Sequence, residues 1–136
     1  MSINTALATQ VGIGEIMSKL QAELAVRALH MGTFAHLEHF KTGSYAAHKA
    51  LETLYTDLPD TVDSFVEQWQ GKHGKIEAYP SWTPVIRPCV KMCKDLVLWI
   101  DENRDELMDD DISLDNALAE IRTVLLQAMY RLNELS

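Results

Sequence analysis

HLEHFKTGSYAAHKALETLYTDLPDTVDSFVE, residues 36–67, is the stretch on which the reading of this chain turns. Inside it, Lys41-Thr42-Gly43-Ser44 is a break, a glycine beside a serine suited to cap a helix N-terminus. Apolar residues recur at steps of three and four on both sides of the break. Upstream, Ile16, Leu20, Leu24, Ala28, Met31 and Ala35 predict an amphipathic helix from about Gly14 to Phe40. Downstream, Leu51, Leu54, Tyr55, Leu58, Val62, Phe65, Val66 and Trp69 predict a second helix from Tyr45 to about Gln70, with Gly71 as its stop. Pro59 falls within it, removes a backbone donor, and predicts a kink or two abutting helices.

Working outward, residues 72–84 (KHGKIEAYPSWTP) read as a connection. It is long for a loop between neighbouring bundle helices, so it predicts a crossover. A third helix is expected from between Pro84 and Pro88 to about Met108, with Val90, Cys93, Val97 and Ile100 on one face. Asp109-Asp110-Asp111 reads as a turn and the capped start of a fourth helix. That helix should run from Ser113 or Leu114 to about Leu135 on a stripe of Leu114, Leu118, Ile121, Leu125, Ala128 and Leu132. No segment has the period of a strand. The expectation is one all-α domain over residues 1–136, a four-helix bundle with a long crossover between helices 2 and 3. Residues 1–12 are expected to form a loosely ordered N-terminal segment.

The 136 residues suit a single domain with a real core. Twelve basic against twenty acidic residues give a net charge of −8, which speaks against phosphate-backbone binding and so against nucleic acid as a partner. No apolar run is long enough for a membrane span, and MSINTALATQ lacks the features of a signal peptide. The cytoplasm is the expected compartment, the host's if the chain is phage-encoded. Cys89 and Cys93, at i and i+4, are expected to be reduced core residues there.

The candidate chemistry lies in His36, His48, Asp63 and Glu67, at gaps of twelve, fifteen and four, with Glu52 four residues after His48. Imidazole and carboxylate suit iron and also zinc or manganese. His36 and His48 should lie near one end of a hairpin, but Asp63 lies about 22 Å from His48 along the second helix at 1.5 Å per residue. One ion cannot bridge that, since ligand bonds are about 2 Å. A second copy packed antiparallel on the same face would bring the histidine end of one onto the carboxylate end of the other, twice over. His39 could assist, although its place near a turn suggests exposure. His30 falls on another face, and His73 in the connection.

The same order and spacing of His36, His48, Asp63 and Glu67 resembles the Dps-type mini-ferritins, as do the glycine turn, Tyr45 and the Leu54-Tyr55 pair. That resemblance covers about residues 30–70. It implies a ferritin-like bundle, a site shared by two-fold related subunits, and Glu67 as bridging carboxylate. Glu52 would be a further ligand or would orient His48. The tryptophan usual after the first histidine is Leu37 here, and no Lys-rich tail implies DNA binding. SYAAHKALETLY, followed by Asp63, Glu67 and QGKHG, also resembles a small ferritin-like family encoded by tailed phages.

The leading expectation is thus Fe(II) binding and ferroxidase activity at an intersubunit site made by His36, His48, Glu52, Asp63 and Glu67, with no organic cofactor. The alternative is a non-enzymatic helical oligomer, a phage-encoded interaction protein whose metal site is degenerate or redox-silent. Both expect a homo-oligomer, at least a two-fold dimer.

Overall fold

A computed structural model describes the backbone of residues 3–135 and the side chains of residues 18–135. It contains α1 (Ile3–Lys41), α2 (Tyr45–His73), α3 (Cys89–Met108) and α4 (Ile112–Tyr130), followed by a π-helical turn at Arg131–Leu135. No strand occurs among the described residues. α1 starts at Ile3 rather than near Gly14. The side chains of residues 1–12 lie outside the described set.

The expected break forms where glycine and serine place it. Ser44 caps α2, its hydroxyl accepting the Ala47 N–H at 3.1 Å. The far end of α2 differs from expectation. Gly71 stays helical, and the helix stops at Gly74, whose φ of 89° suits a glycine. Through Pro59, α2 is one helix rather than two.

The periodic apolar residues make one core. Leu24, Ala28, Met31 and Ala35 of α1 meet Leu51, Leu54, Leu58, Val62, Phe65 and Trp69 of α2. Leu96, Ile100 and Leu107 of α3 and Leu114, Leu118, Ile121 and Leu125 of α4 complete it. Each fully buried large side chain contributes about 1.5–3 kcal/mol relative to exposure.

Neighbour relations fix the topology. α1 packs on α2 and α3, and α4 packs on α2 and α3, which leaves α2 and α3 on a diagonal. The Cys89 N–H donates to Glu38 Oε1 at 3.0 Å, so α3 begins beside the end of α1. Lys72 and His73 meet Asp109 and Asp111 at 3.6, 3.1 and 2.9 Å, so α2 ends where α4 begins. Two helices therefore run up and two down, and residues 74–88 travel the length of the bundle. Such a segment reaches roughly 50 Å when extended, against about 30 Å for α3. The expected crossover is therefore present between helices 2 and 3. Pro88 gives no side-chain cap to α3, and the carboxylate of Glu38 serves instead.

Asp109 and Asp110 turn the chain at φ of 52° and 51°. Aspartate tolerates this left-handed region better than most residues. Asp111 then caps α4, accepting from the N–H groups of Ser113 and Leu114 at 2.8 and 3.1 Å. These backbone bonds, the Leu114 N–H foremost, and Lys72 hold the Asp111 carboxyl below its ordinary range. A depressed folded-state pKa gives stability that is present above the unfolded value near 4 and is lost as pH falls through the folded value. Asp101 and Asp115, each paired with an arginine, shift the same way. Asp111→Ala should lower the melting temperature by a few degrees at pH 7. In thermal melts the gap between variant and parent should narrow below about pH 4. A gap that widens on acidification would contradict this account of the cap.

Cys89 and Cys93 are buried free thiols. Burial, reinforced by Glu38, pushes both thiols up, Cys93 to about 12. They are packing residues with little thiolate at neutral pH.

Candidate functional site

The hairpin places three histidines at one end of α1 and α2. His39 and His48 stack with ring centroids 3.6 Å apart. Their bonding is reciprocal: His39 Nδ1 lies 2.9 Å from the His48 carbonyl oxygen, and His48 Nδ1 lies 3.1 Å from that of His39. A carbonyl only accepts, so each Nδ1 must be the donor, and each neutral ring keeps its proton there. His36 stacks on Tyr55 at 3.9 Å and is itself exposed. Glu52 pairs with Lys49 at 3.0 Å. Lys49 is the main reason its carboxyl titrates below the usual range, and His39 and His48 act in the same direction.

His39 was expected to be exposed near the turn. It is instead buried, and it latches α1 to α2. The available signal was periodicity, because His39 extends the stripe Ala28, Met31, Ala35 by one more step of four. His73 also differs from expectation. It ends α2 rather than lying in the connection, with its ring 3.9 Å from that of Trp69.

His39→Ala removes a stacked ring and a buried donor. It should destabilise the protein by about 1–3 kcal/mol. His39→Phe keeps a ring and should recover part of that loss in urea denaturation. Equal stability of both variants and the parent would show that the latch is not load-carrying.

Asp63 and Glu67 lie at the other end of α2, exposed, where they line a shallow surface depression with Asp60, Ser64 and Gln68. α2 is continuous between His48 and Asp63, so the separation of about 22 Å stands. The predicted residues thus fall into two groups on one chain, His36, His48 and Glu52 at one end and Asp63 and Glu67 at the other. No cluster of three or more His, Cys, Asp or Glu side chains among the described residues could hold a metal ion. The histidine pair explains part of this. Imidazole lone pairs lie in the ring planes, and two rings inclined by only 23° do not converge on one ion.

Apolar side chains surround the histidine end. Phe40 is 70% exposed, Tyr45 75% and Leu37 50%. Phe40 lies 5.0 Å from His36 and 5.5 Å from His39 between ring centroids. No helix among the described residues is long and apolar enough to cross a membrane.

One known protein resembles part of this chain. An uncharacterized 14.6 kDa protein of Enterobacteria phage T4, from the mobD-ri intergenic region, is 37% identical over 73 residues. The aligned stretch covers 54% of this chain and 53% of the relative, so the chain spans about half the length of that relative. No solved structure matches. The resemblance to a phage family is thereby supported, and the resemblance to mini-ferritins is not. The family of unknown function DUF5856 matches residues 39–132, from the buried His39 to the end of the bundle, and the chain belongs to that family.

Proposed function

We propose that the protein is a self-associating helical module whose two-fold contact is the outer face of the α1–α2 hairpin. One observation carries the reading: this face leaves large apolar side chains exposed at one end and carboxylates at the other. It has exposed Phe40, Leu37 and Tyr45 with the histidines at one end, and Asp60, Asp63 and Glu67 at the other. An antiparallel copy sets each end on its opposite, with Thr56, midway between His48 and Asp63, near the axis. The product is an interaction scaffold, and the likeness to the T4 protein supports phage biology as its setting. Sedimentation equilibrium of the intact chain should give twice the chain mass, and a monomer at every accessible concentration would overturn the proposal.

A second reading is favoured by the tautomer of His48. With Nδ1–H held by the His39 carbonyl, Nε2 is left as an acceptor, the usual preparation of a metal-ligating histidine. The described residues of one chain do not fit a metal ion. Across the two-fold, His36 and His48 of one copy and Asp63 and Glu67 of the other supply donors suited to iron, zinc or manganese, with Glu52 beside His48. Iron held there would supply redox chemistry toward oxygen or peroxide. Aerobic Fe(II) titration separates the readings. Saturable oxidation that is lost in Glu67→Gln supports a shared iron site, and oxidation at the buffer rate in both proteins leaves the scaffold alone.

A further inference from the structure

A second cleft lies away from His36, His39 and His48, where the crossover passes over α1 and α3. It is half open to solvent and has a volume of about 240 Å³, below the roughly 300 Å³ at which pockets for drug-sized ligands begin. Its floor includes Met31, Met92 and Leu96, which are buried and apolar. Its charged lining is Arg27, Arg87 and Asp95. Arg87 and Asp95 oppose each other at 3.6 Å, so the lining carries one net positive charge in a protein of net −8.

Arg27 is the unusual member. Its guanidinium lies 5.3 Å from the ring centroid of Trp82 and 5.0 Å from that of Trp99. Trp82, on the crossover, is also met edge-on by His30 at 5.6 Å. The arginine is thus held in place by aromatic rings, while its hydrogen-bonding capacity is little used. Glu23 approaches one terminal nitrogen only to 3.8 Å, and Nε is buried without a partner among the described residues. A fixed, under-used guanidinium at the edge of an apolar cleft suits a carboxylate, which it can meet with charge-assisted bonds. Asp95 at the rim disfavours a dianion such as a phosphate monoester. The methionines adapt to the shape of an apolar body.

We propose that this cleft binds a small organic monocarboxylate, with its carboxylate toward Arg27 and Arg87 and its apolar body on Met31, Met92 and Trp82. The site is separate from the α1–α2 face and does not depend on self-association. The test uses the intact chain and follows the indole N–H resonance of Trp82, assigned through Trp82→Phe, during titration with phenylacetate or hexanoate. Phenylacetamide serves as the uncharged match. Saturable shifts are expected with at least one acid. They should be about tenfold weaker or more with the amide, and weaker by a similar factor in Arg87→Gln, whose exposed side chain leaves the fold intact. Arg27→Lys, which keeps the charge without the planar fork, should also weaken binding. Absence of saturation with either acid up to about 10 mM overturns the proposal and leaves the arginine as a clamp on the crossover. Equal binding of the amide, or undiminished binding in Arg87→Gln, overturns it as well.

Discussion

Trp69→Ala should destabilise the bundle by about 3–5 kcal/mol, the largest loss expected from any single truncation here. Trp69 is 1% exposed and sits in the last turns of α2. Its indole N–H donates to Ser18 Oγ of α1 at 3.4 Å, and its ring covers His73. His73 in turn reaches Asp109 at 2.9 Å, which ties this end of α2 to the α3–α4 turn. The substitution therefore opens a cavity and loosens three connections at once. Domains of this kind have about 5–15 kcal/mol in total, so the variant should be marginal at 37 °C. Urea denaturation followed by far-UV circular dichroism measures it. A loss below about 1 kcal/mol would mean that the residues around Trp69 collapse into the space, against the packing described.

Phe40→Asp should turn the proposed dimer into a monomer while leaving the fold intact. Phe40 is 70% exposed in the single chain, so the change removes little internal packing. In a two-fold contact it acts twice, removing two aromatic anchors and adding two charges that would have to be buried. Desolvating an unpaired charge costs several kcal/mol, enough to abolish a micromolar association near 8 kcal/mol. Light scattering after gel filtration should show the halved mass, with an unchanged helical spectrum. A variant that stays dimeric would place the contact elsewhere.

Much of the fold was legible because it is local. The stripes of α2 and α4, the serine cap at 44 and the aspartate turn at 109–111 depend on neighbours within a few residues. Gly71 and Gly74 could not be told apart in this way. What carries α2 past Gly71 is the contact of His73 with Trp69 and Asp109, and the Asp109 contact is made across the fold. The burial of His39 was legible from its step of four beyond Ala35, but its place beside a turn argued the other way. The stacking of Arg27 between Trp82 and Trp99 joins α1, the crossover and α3, and no spacing in the chain announces it. The candidate ligands were correctly separated into two ends by helix length alone. Whether the ends meet depends on a second copy, which one chain's periodicity does not encode.

The most direct test of the two-fold contact is oxidative cross-linking at Thr56→Cys. Thr56 is exposed on α2, midway between the two ends that are proposed to meet, and the native thiols at 89 and 93 are buried. Near a two-fold axis a residue faces its own copy, so Thr56→Cys should form an intermolecular disulfide rapidly, whereas Thr123→Cys on α4 should not. Cross-linking that is equally slow at both positions, or faster at 123, would contradict an antiparallel contact across the α1–α2 face.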